Sequence, residues 1–125
     1  MKVLQNSKGE TYFSLNHGKR NVLTPEIRYI KSDGNYSCIL LRTGEVLLSS
    51  FTLKVYADQL LKRPNFFVGK RGLLINLNYL KTLSEIDGVL YGVFKNGEEL
   101  PLSRRKGKGL LMHLRRHRGF INRVY

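Results

Sequence analysis

Apolar and polar residues alternate along most of this chain, and once, in the middle, they switch to helical spacing. Thr11-Tyr12-Phe13-Ser14-Leu15-Asn16 has the aromatic and β-branched make-up of a strand. His17-Gly18-Lys19 reads as a turn, and Arg20 to Leu23 as the returning partner, with Pro25 breaking any ladder beyond. Ile27 to Lys31 predicts a second strand, closed by Ser32-Asp33-Gly34-Asn35. Asp and Asn side chains bond nearby backbone and Gly accepts positive φ, so these four residues suit a turn. Tyr36 to Leu41 resumes as strand, Thr43-Gly44 turns, and Glu45 to Leu48 returns.

Leu53, Tyr56, Ala57, Leu60 and Leu61 then fall at i, i+3, i+4, i+7 and i+8, which predicts an amphipathic helix near residues 53 to 62. Thr52 is its candidate N-cap and Pro64 its stop. Phe66-Phe67-Val68 is short and apolar, and Gly69-Lys70-Arg71-Gly72 interrupts it as a loop. Leu73 to Leu77 suits a buried strand. Leu80 to Ile86, Val89 to Lys95 and Glu99 to Leu102 add three more strands, divided by the hairpin dipeptides Asp87-Gly88 and Asn96-Gly97. Leu110, Leu111 and Leu114 recur at helical spacing, so a C-terminal helix is expected to dock on the body. The pattern is that of a mainly β protein with two helices.

Charge sharpens the picture. The 125 residues include 22 Lys+Arg against 9 Asp+Glu, a formal charge of +13. Between Ser103 and Tyr125 there are eight basic side chains and no carboxylate, whereas Glu85, Asp87, Glu98 and Glu99 gather in the middle. Such a basic chain points to a polyanion. The single cysteine, Cys38, excludes a disulfide framework and Cys-rich zinc sites. No apolar run approaches the roughly 20 residues of a membrane helix, and the N-terminus lacks a signal-peptide core; the expected location is the cytoplasm. Enzyme constellations are scarce. His113 and His117 are four apart, yet Arg115, Arg116 and Arg118 around them would repel a dication. Lys106-Gly107-Lys108-Gly109 lacks the spacing of a phosphate-binding P-loop. A non-enzyme with no cofactor, no metal and no small-molecule substrate is expected.

Three predicted loops concentrate polar and cationic groups: Asp33-Gly34-Asn35-Tyr36, Gly69-Lys70-Arg71-Gly72 and Ser103-Arg104-Arg105-Lys106. A sheet can present loops to a partner while holding their ends still. Glycines beside Lys70 and Arg71 allow close approach to phosphate, and the guanidinium fork matches two acceptors on guanine.

Taken in order, four stretches resemble one family, the LytTR-type DNA-binding domain of bacterial transcription regulators. They are Ile27 to Tyr36 with its Gly-Asn-Tyr turn; Thr52-Leu53 opening the helix; Asn65-Phe66-Phe67 with Lys70-Arg71 and Leu74-Ile75-Asn76; and Gly97 with Leu100-Pro101-Leu102-Ser103-Arg104-Arg105. The resemblance implies short antiparallel sheets packed as an elongated β-sandwich, with one amphipathic helix and a short C-terminal helix. It implies sequence-specific binding of double-stranded DNA by loops inserted into successive major grooves. By position, Arg71 and Arg105 fall where the family reads bases, with Asn35 and Tyr36 contributing from the first loop. Lys70, Arg104 and Lys106 are the implied phosphate contacts. Direct-repeat sites follow too, with a monomer when free and two copies on DNA. Residues 1–9 stand as an N-terminal extension, 10–118 as the domain, and 119–125 as a tail whose Phe120, Ile121, Val124 and Tyr125 suit a partner chain.

The chain departs from the family where many members carry Arg, His and Ser and this one has Val68, Lys70 and Gly72. Residues 1–9 are also too few for the phospho-accepting receiver that usually precedes the domain. For a chain with no receiver ahead of it, control is expected through abundance, self-association or a separate protein, such as a kinase or a membrane inhibitor; for a domain of a longer chain, nothing about regulation follows. The alternative is an RNA-binding or ribosome-associated basic β protein. RNA modules stack bases on exposed sheet aromatics, whereas Tyr29, Phe51, Phe66 and Phe67 have the apolar neighbours of core residues.

Overall fold

The computed structural model describes residues 1–117, and the tail after His117, with Arg118, Phe120, Ile121, Val124 and Tyr125, lies outside the described residues. The described chain is mainly antiparallel β with two α-helices, and it groups into two compact units that meet in sequence at Arg63 and Pro64.

In the first unit, β1 (Lys2–Gln5), β2 (Thr11–Leu15) and β3 (Arg20–Leu23) form an antiparallel meander. β4 (Ile27–Asp33), β5 (Tyr36–Leu41) and β6 (Val46–Ser49) form a second. The expected hairpins are present. β4 runs two residues past Lys31, so Ser32 and Asp33 are strand and the turn is only Gly34-Asn35. β1 was not anticipated. All four of its residues are exposed, so it has no alternating burial for a sequence pattern to reveal. It is joined to β2 by a turn that Asn6 organises, its Oδ1 accepting from the backbone N–H groups of Lys8 at 2.9 Å and Glu10 at 3.0 Å.

Helix α1 (Leu53–Leu60) follows, and its buried face is narrower than the spacing indicated. Tyr56 and Leu60 are fully buried, Leu53 and Ala57 half-buried, and Leu61 exposed because it sits at the helix end, past the last full turn. Thr52 holds the N-cap position in extended backbone, but its hydroxyl makes no capping bond. The Tyr56 ring meets Phe13 edge-on, with centroids 5.3 Å apart. Val22, Ile27, Ile30 and Ile39 are likewise fully buried in the core.

The second unit opens with the hairpin β7 (Phe66–Lys70) and β8 (Leu73–Asn76). β9 (Leu80–Ile86), β10 (Val89–Phe94) and β11 (Glu99–Pro101) form a three-stranded meander across the Asp-Gly and Asn-Gly turns. All four residues of β8 are buried, Asn76 among them, in keeping with the buried strand expected from Leu73. The buried Asn76 is satisfied there, its Oδ1 accepting from Asn65 Nδ2 at 3.1 Å and from the Asn78 N–H at 3.0 Å.

Helix α2 (Arg104–His117) has 14 residues and starts well before the leucines that signalled it. It takes in Arg104, Arg105 and Lys106, expected as a loop, and the Lys-Gly-Lys-Gly run after them. Two glycines inside a helix cost about 1 kcal/mol each against alanine, so local propensity argues against this extension. Docking overrides it. Leu110 and Leu114 are fully buried, and α2 packs on β7 and β10. Gly107 is buried where a Cβ would come within 2.9 Å of Leu90 Cδ1, so only glycine lets the helix lie this close to β10.

Candidate nucleic-acid interface

The second unit brings two of the three expected cationic segments together. Its β7–β8 connection is tighter than the four-residue loop expected. Lys70 is still in β7, opposite Leu73, and the turn is Arg71-Gly72 alone, with Gly72 at a positive φ of 83°. The register steps from Val68↔Leu74 to Lys70↔Leu73, which leaves Gly69 as the extra residue of a bulge. Gly69 is buried, and a Cβ there would stand 2.8 Å from Leu102 Cδ2. Its carbonyl, freed from the ladder by the bulge, accepts the backbone N–H of Ser103 at 2.9 Å.

That bond joins the hairpin to the start of α2. Ser103 also caps the helix. Its hydroxyl accepts the Lys106 N–H at 3.1 Å, and its carbonyl accepts the Gly107 N–H at 2.7 Å. Arg71 lies two residues beyond Gly69, and Arg105 two residues beyond Ser103, so both arginines sit close to one stitched edge. Arg71, Arg104, Arg105 and Lys106 are exposed, and Lys70 is half-buried. Neither Arg71 nor Arg104, Arg105 and Lys106 of α2 forms an ion pair with a described carboxylate. The first turn of α2 holds no acid. Cations at a helix N-terminus oppose its dipole, by about 0.3–1 kcal/mol each at exposed sites. An anion at this edge relieves both the crowded charge and the dipole.

Asn35 and Tyr36 belong to the first unit. They sit at the tip of the β4–β5 hairpin, where Asp33 pairs with Tyr36 and Gly34 takes a φ of 60°. Asn35 is exposed and Tyr36 is 51% exposed, an unusual placement for a large aromatic. The sequence places Gly69 and Ser103 in cationic loops, but their roles here are a strand bulge and a helix cap, joined by a bond that holds the cationic elements together. A serine ahead of an apolar 3–4 repeat was the available signal for the cap; the bulge had none.

Other candidate chemistry resolves into packing. The His113 ring lies against Phe67, centroids 5.6 Å apart, and Cys38 is a half-buried free thiol. Among the described residues no three His, Cys, Asp or Glu gather as metal ligands, and no helix is long and apolar enough to cross a membrane.

The sequence model of one family, described as the LytTr DNA-binding domain, matches residues 17–115. The chain belongs to the LytTr DNA-binding domain family. DNA binding, in the setting of a regulator, is thus its activity, and the family is one of DNA-binding domains rather than enzymes. The fold agrees. A LytTr DNA-binding domain from Bacillus cereus superposes with a TM-score of 0.65 over 90% of this chain and 94% of that one, at 16% identity. No curated protein matches the chain. In this LytTr domain the departures noted above fall on the β7–β8 hairpin. Val68 is half-buried in β7, and the positive φ of Gly72 would strain any hydroxyl-bearing side chain put in its place.

Proposed function

We propose that this LytTr domain recognises double-stranded DNA by sequence, as the DNA-binding part of a bacterial transcription regulator acting in the cytoplasm, with its turns entering the major groove. The observation that supports this reading most is the Ser103–Gly69 backbone bond, which holds two exposed arginines on one rigid edge. Arg71 and Arg105 read guanine through the paired donors of their guanidinium groups, and Asn35 and Tyr36 read from the β4–β5 turn. Lys70, Arg104 and Lys106 neutralise phosphates. Phosphate contacts set register and base contacts set sequence, so the two sets respond differently to substitution. The protein is a monomer when free and occupies direct repeats as two copies, and a separate kinase or membrane inhibitor controls it.

Lysine keeps the charge of arginine and loses the fork. Arg71→Lys and Arg105→Lys are therefore expected to bind non-specific DNA almost as wild type does. Each is expected to lose about 1–3 kcal/mol of discrimination at one base pair. The measurement is affinity across single-base variants of a duplex selected from a random pool, with hairpin RNA as competitor. If both variants keep the wild-type ranking, the base-reading assignment fails. If the RNA outcompetes the selected duplex, the chain reads RNA instead.

A further inference from the structure

The cationic character of α2 does not stop at its first turn. Successive helical residues are about 100° apart, so Arg105, Lys108, Met112, Arg115 and Arg116 lie within a wedge of about 100°. All five are exposed, Met112 by 59%, and the opposite face of the helix is buried through Gly107, Leu110 and Leu114. Gly109 falls about 20° beyond the edge of that wedge, and a Cβ there would meet nothing within 4 Å. From Arg105 to Arg116 the stripe runs about 16 Å at about 1.5 Å per residue.

No acid interrupts it. Arg104 and Lys108 are i,i+4 neighbours of like charge, and Arg105 and Lys108 are i,i+3 neighbours, arrangements that weaken a helix in isolation. Arg115 and Arg116 gain something from the negative end of the helix dipole, but Arg105 and Lys108, toward the other end, do not. The open Gly109 adds no packing and lowers helix propensity, while leaving the backbone approachable from outside. A polyanion of matching length, laid along such a stripe, relieves its like-charge repulsion along the whole helix.

We infer that the outward face of α2, through Lys108, Arg115 and Arg116, is a second DNA-backbone surface, which grips phosphates beyond the base-reading turns and carries no sequence information. It rests on duplex DNA as the partner, not on the assignment of Arg71 and Arg105 to bases. Over about 16 Å of axis a duplex presents about nine phosphate charges, more than enough partners for three cations. Met112, in the centre of the stripe, would lie against sugar carbons.

The test is the slope of log affinity against log salt, measured with the full chain. Each phosphate contact contributes about 0.9 to that slope. The double variant Arg115→Ala/Arg116→Ala is expected to lower it by about 1.8. It should weaken all duplexes by one common factor, keep the single-base ranking, and melt at the wild-type temperature. Arg115→Lys/Arg116→Lys should restore the slope. An unchanged slope in the folded alanine variant overturns the inference. Should Arg71→Lys and Arg105→Lys alter the ranking at the same time, the base-reading proposal survives without it. Should wild type show no ranking while the slope still falls, the α2 surface stands and the base-reading proposal fails. Binding to phosphatidylserine vesicles that disappears in the alanine variant, with the DNA slope intact, would assign the stripe to a membrane surface instead.

Discussion

Tyr56 combines ring packing and a hydrogen bond in the core of the first unit. Its ring is wholly buried against Phe13, and its hydroxyl bonds the Ser49 hydroxyl, which also accepts the Phe51 N–H at 3.2 Å. Burial raises the phenol above the ordinary tyrosine value of 10.0, and the Ser49 bond offsets part of that rise. In the folded chain Tyr56 therefore keeps its proton at a pH where the unfolded chain has lost it. The resulting stability is fully present below about pH 10 and disappears as pH climbs through the folded value. Tyr56→Phe cannot titrate. At pH 8 it is expected to be less stable than wild type by about 1 kcal/mol, for the lost hydrogen bond. At pH 11 the gap should close or reverse. Urea midpoints at the two values check this, and a gap that stays constant would mean the phenol reaches water in the folded state.

Helix α2 shows how one element can need one glycine and not another. Gly107 lies where a Cβ would come within 2.9 Å of Leu90 Cδ1 and 3.2 Å of Leu90 Cβ. The methyl end of Leu90 can rotate away, but its Cβ is held by β10. Gly109 faces open space. Gly109→Ala is expected to stabilise the protein by about 0.5–1 kcal/mol through helix propensity alone. Gly107→Ala gains the same propensity and meets an overpacking cost of about 1–3 kcal/mol, so it should be destabilising on balance. Thermal melting of the two variants should move in opposite directions. Two upward shifts would show that α2 rides higher over β10 than the Leu90 contact requires.

At the scale of the whole molecule, the excess of 22 basic over 9 acidic side chains attracts any duplex whatever its sequence, and in the function proposed above the arrangement of copies on the site adds to what base reading selects. If two copies occupy direct repeats on one face, their centres lie about 10.5 base pairs apart. Inserting about half a turn, 5 base pairs, between the repeats puts the copies on opposite faces. Cooperative occupancy should then vanish while each half-site keeps its affinity, and quantitative footprinting distinguishes the two quantities. Cooperativity that survives the insertion would mean the copies never touch. What the chain alone made legible follows from local chemistry. The strands from Thr11 to Leu41 and from Leu80 to Phe94 are bounded by Gly, Asn and Asp turns, and those residues act on their immediate neighbours wherever the chain goes. The same holds for the buried pair Tyr56 and Leu60, set by helical spacing, and for the cationic residues as a set. Their arrangement was not legible. β1 has no buried residue to betray it. The Lys-Gly-Lys-Gly run reads as loop until β7 and β10 supply the packing that makes it helix. The bulge at Gly69 shows only in the pairing register, and the bond from Ser103 to Gly69 joins segments far apart in the chain. Propensity and spacing act over a few residues, so they select elements; the joining of the β7–β8 hairpin to the start of α2 depends on a contact that exists only once the second unit has folded.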